Sequence, residues 1–208
     1  LCGWNLLTKP GCCEPNQLTQ DFESGFDGVV IVSELPTSKW QHVIGKQAKN
    51  GKGSLWYGNL AKGNFDDGKS GGTVTIPGVA IASGEQTIFA FSLWMDTESG
   101  QTYDRFEVFV VNGGKKTKLW DKTAAGFTIK QWHDAKVELS AFAGATVDLR
   151  FEFDTTDGVA NTGEGVYVDA ITLTRSCAPK NCNTAKDCDD GLPSTSESCS
   201  AGSCIYSN

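Results

Sequence analysis

A strand that runs into an acidic loop and then into a second strand is the feature that most constrains this fold. It occupies residues 151–173, FEFDTTDGVANTGEGVYVDAITL. Period-two alternation in the second strand puts Tyr167, Ile171 and Leu173 on one face, and Asp169 falls on that same face. A carboxylate among apolar side chains is costly unless it is paired, hydrogen-bonded or bound to a metal. The loop adds hard oxygen ligands of the kind that calcium prefers, namely Asp154, Asp157, Asn161 and Glu164. The pattern therefore predicts a cation-stabilised β-sandwich.

Alternation of apolar and polar residues recurs along the chain. In residues 147–154 the apolar side chains point one way and the charged ones point the other, which is typical of half-buried antiparallel strands. Segments rich in Gly, Asp and Asn separate such runs. We therefore expect strands near residues 28–34, 39–45, 53–58, 71–81, 86–96, 103–112, 115–121, 131–139, 145–154 and 165–175. Helix is expected only as one turn within 138–144. The fold class predicted is all-β: an antiparallel two-sheet jelly-roll β-sandwich with small disulfide-rich terminal segments.

The net charge of −7 argues against a nucleic-acid partner, because a phosphate-binding surface needs clustered Lys and Arg. The charge is compatible with calcium binding and equally with an ordinary soluble, acidic surface. No apolar run in the sequence is long enough to span a membrane. The start at Leu1 and Cys2 fits the processed end of a mature secreted protein.

All eight cysteines lie near the two ends of the chain: Cys2, Cys12, Cys13, Cys177, Cys182, Cys188, Cys199 and Cys204. An even number of cysteines in segments that are poor in apolar residues favours disulfides and an oxidising compartment. Zinc is the alternative, but a C-x-x-C pair is lacking, and His42 and His133 lie far away in sequence. Because three cysteines lie at one end and five at the other, complete pairing requires at least one disulfide that links the ends.

The domain organisation follows from these patterns. Residues 1–20 are interpreted as a Cys-containing lead-in, 21–175 as the sandwich, and 176–208 as a small disulfide-knit tail.

The order of several short motifs resembles a known family. The motifs are DFESGFDG (21–28), SLWYGN (54–59), FDDG (65–68), GTVTIPGVAI (72–81), LWMDTESGQTYDRFEVFV (93–110), ELSAFAGATVDLRFEFDTTDGVAN (138–161) and EGVYVDAITL (164–173). Together they resemble secreted bacterial jelly-roll modules of MAM-like type. Such modules are attached to surface proteins and to immune inhibitor A-type metallopeptidases. The resemblance covers about residues 20–175 and concerns the fold rather than the ligand.

This resemblance implies a calcium ion, Ca2+, between the start of the domain and its last strand. The positions that match the family's ligands are Asp21 and Glu23 of DFESG and Asp169 of VYVDA. Asp104 and Asp157 are further candidate ligands. The sequence departs from the family at Ala170, where a second acidic residue is common, so the number of ligands in the last strand is left open.

The tail resembles the short Cys-rich repeats of bacterial surface proteins. Cys182, Cys188, Cys199 and Cys204 match the repeat, whereas Ser194 stands where such repeats often carry another cysteine. The resemblance therefore leaves the pairing open, with Cys177 as a candidate replacement partner.

Trp94 is the best candidate for a ligand surface, because it alternates out of phase with the apolar residues Phe91, Leu93 and Met95. It could stack on a sugar ring, although packing on the sheet is the usual role of such a residue. Glu152, Asp154 and Asp157 are similar to the acid cluster of jelly-roll β-glucanases, but the third acid departs from that pattern. Neither histidine lies in a catalytic motif.

These observations predict a non-catalytic, secreted or cell-surface binding, adhesion or assembly module that calcium stabilises. Two alternatives remain open. The chain could be a carbohydrate-binding module or an accessory domain of an extracellular hydrolase, or it could be a structural subunit of a surface layer or filament. The partners expected are an extracellular protein or a glycan surface, with self-assembly as a further possibility.

Overall fold

The computed structural model describes residues 16–83, 85–100, 102–124, 126–177, 182–188, 196–201 and 203–207. Within these residues the regular structure is β-strand apart from two short 3-10 turns, Ser140–Phe142 and Ala185–Cys188. The strands, in chain order, are β1 (Asn16–Gln20), β2 (Val30–Ser33), β3 (Lys39–Ile44), β4 (Gly53–Gly58), β5 (Gly71–Ala80), β6 (Glu85–Asp96), β7 (Arg105–Asn112), β8 (Lys115–Asp121), β9 (Trp132–Glu138), β10 (Thr146–Asp154), β11 (Gly165–Cys177), β12 (Ser196–Ser200) and β13 (Ser203–Ser207).

Two antiparallel sheets form the body of the protein. Sheet A has the order β3-β4-β11-β6-β9, with β1 also paired to β11, and sheet B has the order β2-β5-β10-β7-β8. The apolar residues of the alternating strands meet between the two sheets, with Phe91, Phe106 and Phe151 fully or almost fully buried there. The rings of Phe91 and Phe151 have centroids 5.2 Å apart. The predicted all-β sandwich is confirmed.

All ten strands expected from the alternation are present, and the expected turn at 138–144 is the 3-10 turn Ser140–Phe142. One strand of sheet A was not predicted: β1 lies within the lead-in assigned to residues 1–20. It pairs antiparallel with β11, and Leu18 packs partly buried against the core. Five residues with only one strongly apolar side chain carry too little periodicity to indicate a strand.

Strand β11 changes face in its middle, which corrects one prediction. Val168 lies in the core and Tyr167 on the outer side of sheet A. The register against β6 shifts just after Asp169, at Ala170, which has φ 50°. Beyond this β-bulge the core residues are Ile171 and Leu173. The extra residue reverses the alternation, so Asp169 shares the outer face with Tyr167 and not the inner face with Leu173.

The described part of the tail forms a hairpin of β12 and β13 beside the turn Ala185–Cys188. Cys182 and Cys199 form a disulfide, and Cys188 is also disulfide-bonded. Cys2, Cys12 and Cys13 lie outside the described residues, as do the side chains of Cys177 and Cys204. A disulfide between the two ends of the chain therefore stays a prediction.

No helix among the described residues is both long enough and apolar enough to cross a bilayer.

Candidate ligand and cation sites

The loop between β3 and β4, residues 45–52, is hydrogen-bonded through its backbone amides to the side chain of Asp169 on β11. This side chain is fully buried. Its Oδ2 accepts hydrogen bonds from the amides of Lys49 (2.7 Å) and Asn50 (3.0 Å), and its Oδ1 accepts one from the amide of Ala170 (2.6 Å). The bulge at Ala170 turns the carboxylate toward the loop, at the point where β4 stops pairing with β11 and β1 begins.

A second carboxylate holds the other end of the same loop. Glu23 Oε1 accepts hydrogen bonds from the amides of Lys52 (2.7 Å) and Gly53 (2.6 Å). Gly51 has φ 63°, and a Cβ there would lie 2.4 Å from the carboxyl carbon of Glu23. Glycine is favoured here by its positive φ, and a Cβ would push the Glu23 carboxylate away from the loop amides. We call Glu23, Asp169 and loop 45–52 the carboxylate clasp.

The clasp brings two negative groups together around one loop. Burial raises the pKa of Asp169, three backbone amides lower it, and the nearby Glu23 carboxylate raises it further. Two carboxylates of this kind suit a hard divalent cation. Within the described ranges no group of three acidic, His or Cys side chains is placed to bind a metal. A cation at the clasp would therefore need main-chain or water oxygens in addition.

The remaining predicted calcium ligands do not all lie at the clasp. Asp21 is exposed beside it, and its Oδ1 accepts a hydrogen bond from the amide of Glu23 at 3.2 Å. Asp104 and Asp157 lie at the end of the sandwich. Asp169 on β11 pairs with Ser92 on β6. Strand β6 ends four residues later, at Asp96, and it is this end of the sandwich that carries Asp104 and Asp157. At about 3.4 Å per residue, the two places are roughly 14 Å apart along β6.

Asp104 lies fully buried where residues 102–104 meet the loop 155–164, at a junction that Glu98 also joins through its amide. Burial raises the pKa of Asp104 to about 6, against the opposing effects of the Glu98 amide and the Lys122 ammonium. Lys122 is itself buried, and its Nζ donates to the carbonyl oxygens of Glu98 (2.9 Å) and Tyr103 (2.6 Å). This loop junction is a second acidic region, distinct from the clasp.

An aromatic row crosses the outer face of sheet A. Cross-strand pairing aligns Trp56, Tyr167, Trp94 and Trp132 on four neighbouring strands. The Tyr167 ring lies 5.8 Å from Trp56 and 5.3 Å from Trp94, centroid to centroid. Trp94 points outward, as its phase predicts, but it is only 6% exposed. The choice of Trp94 as a ligand surface is therefore corrected: its neighbours in the row leave little ring area for a sugar.

Loop 45–52 also covers part of this row. The Lys46 ammonium lies 4.3 Å from the ring centroid of Trp56, and the indole Nε1 of Trp56 donates to the Glu164 carbonyl oxygen at 2.6 Å. Lys49 reaches further across the sheet to Asp134, with an Nζ–Oδ1 distance of 3.0 Å. The clasp thus fixes the loop that shields the row.

The outer face of sheet B carries the acids that resemble a glucanase cluster. Glu152 pairs with Lys116 at 2.8 Å, and Asp154 pairs with Arg105 at 2.8 Å. Burial raises the pKa of Asp154, but the amide of Thr156 and the Arg105 guanidinium outweigh it, and the net shift is downward. A glycosidase requires one carboxyl group with a raised pKa as its general acid. Asp154 does not meet that requirement.

A shallow hollow of about 290 Å³ opens beside these ion pairs on sheet B. Its lining combines carboxylates, hydroxyls and glycine: Val32, Ser33, Glu34, Gly72, Thr73, Glu152, Phe153 and Asp154. The adjacent Gly71 leaves space under Glu34, whose carboxyl carbon lies 3.4 Å from the position a Cβ would take. Val32 is 60% exposed at the rim. Sequence reasoning missed this site because it depends on which residues three strands bring together.

Both histidines have structural partners. His42 Nε2 lies 2.6 Å from the carbonyl oxygen of Phe22, and His133 Nε2 lies 2.8 Å from that of Thr128. The Thr128 hydroxyl also lies 3.2 Å from His133 Nε2, but this nitrogen is already within hydrogen-bond distance of the Thr128 carbonyl oxygen and amide. None of the hydrogen bonds of the described residues places a carboxylate on either imidazole, so a triad with a hydroxyl, a histidine and an acid is not supported.

Comparison with known proteins relates the chain to parts of larger proteases. It is 33% identical to the pre-pro-metalloprotease PrtV of Vibrio cholerae over 105 residues, 46% of this chain and 11% of that protein. It is 27% identical to bacillopeptidase F of Bacillus subtilis over 165 residues, 77% of this chain and 11% of that protein. The chain therefore spans only about a tenth of either relative. No protein-family model matches it.

Solved structures share the fold at low sequence identity. TmCBM61, solved in complex with β-1,4-galactotriose, has a TM-score of 0.54 and 13% identity, over 78% of this chain and 100% of that one. The K3 cleaved adhesin domain of Lys-gingipain from Porphyromonas gingivalis has a TM-score of 0.51 and 13% identity, over 76% of this chain and 99% of that one. At this identity the likeness concerns the fold alone: the chain is a β-sandwich of the kind found in carbohydrate-binding and adhesin domains.

Proposed function

We propose that the chain is an extracellular, non-catalytic module that binds glycans through the outer face of sheet B. The observation that carries this proposal is the hollow beside Gly71. It places carboxylate and hydroxyl acceptors next to an exposed apolar rim, which is the combination that sugar hydroxyls and sugar C–H faces require. The ion-paired state of Asp154 and Glu152 supports binding rather than hydrolysis.

The comparisons support the proposal without naming a ligand. One structure of the same fold was solved with a galactotriose, and another is an adhesin domain. The curated relatives are proteases of which a segment like this chain is a small part. An accessory role beside an extracellular protease, of the kind that MAM-like modules serve, fits both observations. The disulfides of the tail fit an oxidising, extracellular location.

A glycan panel tests the proposal. The full chain is applied to immobilised neutral oligosaccharides, including β-1,4-galactotriose and xylohexaose, and to uronate-containing ones. We expect saturable retention on at least one neutral glycan, and the uronates test whether the ion-paired carboxylates at the hollow leave a net charge that a ligand senses. Absence of retention on every glycan would refute the proposal.

We also propose that Ca2+ binds at the carboxylate clasp and stabilises it. The support is a buried Asp169 carboxylate next to Glu23, whose negative charge raises the pKa of Asp169. A bound ion would join the first segment of the domain to β11 through loop 45–52. Thermal melting with EDTA, followed by return of calcium, tests this. An unchanged midpoint would mean that backbone amides alone satisfy Asp169.

Self-assembly stays a prediction. Light scattering after size-exclusion chromatography measures it, and a mass of one chain across a wide concentration range would contradict it.

A further inference from the structure

Three buried oxygen atoms at the loop junction have no hydrogen-bond partner among the residues that the structure describes. They are Oδ1 of Asp104, Oε2 of Glu98 and Oδ1 of Asn161. Asp104 and Asn161 are 0% and 1% exposed. Leaving a buried acceptor unpaired costs about 1–3 kcal/mol, and more when the group is charged. Such atoms in a folded protein indicate an ordered water or ion.

The three atoms belong to loops that touch. The amide of Glu98 donates to Asp104 Oδ2 at 2.8 Å, which joins the first two residues. The amide of Asp104 donates to the carbonyl oxygen of Thr155 at 3.4 Å. The side chains of Thr155 and Asn161 both donate to the carbonyl oxygen of Asp157, at 2.7 and 3.4 Å. The unpartnered oxygens are thus linked through one short stretch, residues 155–161.

Charge at the junction is unbalanced toward the negative. The carboxylates of Glu98 and Asp157 raise the pKa of Asp104, and the ammonium of Lys122 lowers it. The Lys122 ammonium is already engaged by two main-chain carbonyl oxygens. Lys122 supplies one positive charge against the carboxylates of Asp104, Glu98 and Asp157, so a bound cation would be electrostatically favourable there.

The backbone of these loops is held in a costly conformation. Asp104, Thr156 and Ala160 have φ of 50°, 68° and 58°, in the left-handed region that residues other than glycine seldom adopt. Such strain persists only when the surroundings enforce it. A ligand that ties the two loops together would supply that constraint.

We propose that a divalent cation, Ca2+ in an extracellular setting, binds at the loop junction through Asp104, with Glu98 and Asn161 as additional oxygen donors. This site is independent of the carboxylate clasp. Carboxylate and amide oxygens are ligands that Ca2+ accepts, and water or carbonyl oxygens would complete its shell. No group of three acidic, His or Cys side chains is placed to bind a metal within the described ranges, so this site depends on the amide oxygen of Asn161 and on water or carbonyl oxygens.

Calcium titration calorimetry of the full, chelator-stripped chain tests the proposal. Asp104→Asn and Glu98→Gln keep the shape of each side chain and remove its charge. We expect each variant to bind one Ca2+ equivalent fewer than the wild type. The clasp variant Glu23→Gln should retain that equivalent, and so should the control variant Glu138→Gln on β9. Near-UV circular dichroism confirms folding, and Glu98→Gln decides the matter if Asp104→Asn does not fold.

Three results would overturn the proposal. The wild type could bind no calcium, the two junction variants could bind as many equivalents as the wild type, or Glu23→Gln could abolish all binding while the junction variants retain it. In each case the unpartnered oxygens would be satisfied by water.

Discussion

Removing the Asp169 carboxylate should destabilise the protein strongly even when no metal is present. Asp169→Ala leaves three amides, those of Lys49, Asn50 and Ala170, without their acceptor in a fully buried place. A hydrogen bond to a charged group contributes about 1.5–3 kcal/mol, so three bonds give roughly 4.5–9 kcal/mol as an upper bound. Burial of the carboxylate opposes part of this, as its raised pKa indicates. We expect a net loss of about 3–5 kcal/mol in the free energy of unfolding.

Urea unfolding in EDTA, followed by tryptophan fluorescence, measures this loss. The exposed Asp27 provides a matched control, and Asp27→Ala should change the free energy of unfolding by no more than about 0.5 kcal/mol. Asp169→Asn keeps one oxygen acceptor, so its loss in the free energy of unfolding should lie between those of Asp27→Ala and Asp169→Ala. A loss below about 1 kcal/mol for Asp169→Ala would refute the argument that this carboxylate holds the loop.

Three further predictions concern the junction, the aromatic row and the tail. The folded-state pKa of Asp104, about 6, lies above its ordinary value of 3.8, so the folded state binds the proton more tightly. With calcium removed, the contribution of Asp104 to stability should therefore fall as the pH rises from about 4 to about 6, by about 1–3 kcal/mol, and Asp104→Asn should remove this contribution in a pH series of urea titrations of the calcium-free protein. Asp169 shifts in the same direction and should leave a residual slope in that variant. Trp56→Ala removes a fully buried ring from the row and should cost about 3–5 kcal/mol by chemical unfolding; a cost below 1 kcal/mol would show that the row is not packed as described. Cys182→Ser together with Cys199→Ser opens a link across 17 residues of sequence and should lower tail stability by about 3 kcal/mol, which limited proteolysis with mass spectrometry detects as earlier cleavage within the tail; unchanged cleavage would contradict this.

The strands could be predicted because each one carries its own alternating pattern. Residues 147–154 show period-two alternation, and the structure places Val147, Leu149, Phe151 and Phe153 in the core. Alternation also indicates correctly that Trp94 points away from the core. It cannot tell that Tyr167 and Trp132 from neighbouring strands will cover the ring, because that depends on cross-strand register.

The carboxylate clasp was harder to predict than the strands, because its geometry depends on an irregularity at a single residue. A bulge at Ala170 moves Asp169 to the outer face, and nothing in the period-two pattern marks it. The resemblance to MAM-like modules implied that Glu23 and Asp169 act together, and both do hold the same loop. The amides that bind them come from residues 49–53, whose side chains gave no signal, since any residue can donate a backbone hydrogen bond.

Binding without turnover is the central claim, and one experiment addresses both parts of it. The full chain is incubated for days with the neutral glycan that it retains best, while equilibrium binding and the release of new reducing ends are measured on the same sample. The account predicts saturable binding and no accumulation of reducing ends, with binding weakened by Glu34→Gln in the hollow and unchanged by Glu138→Gln on sheet A. Release of reducing ends in proportion to protein concentration, or failure to bind any glycan, would contradict it.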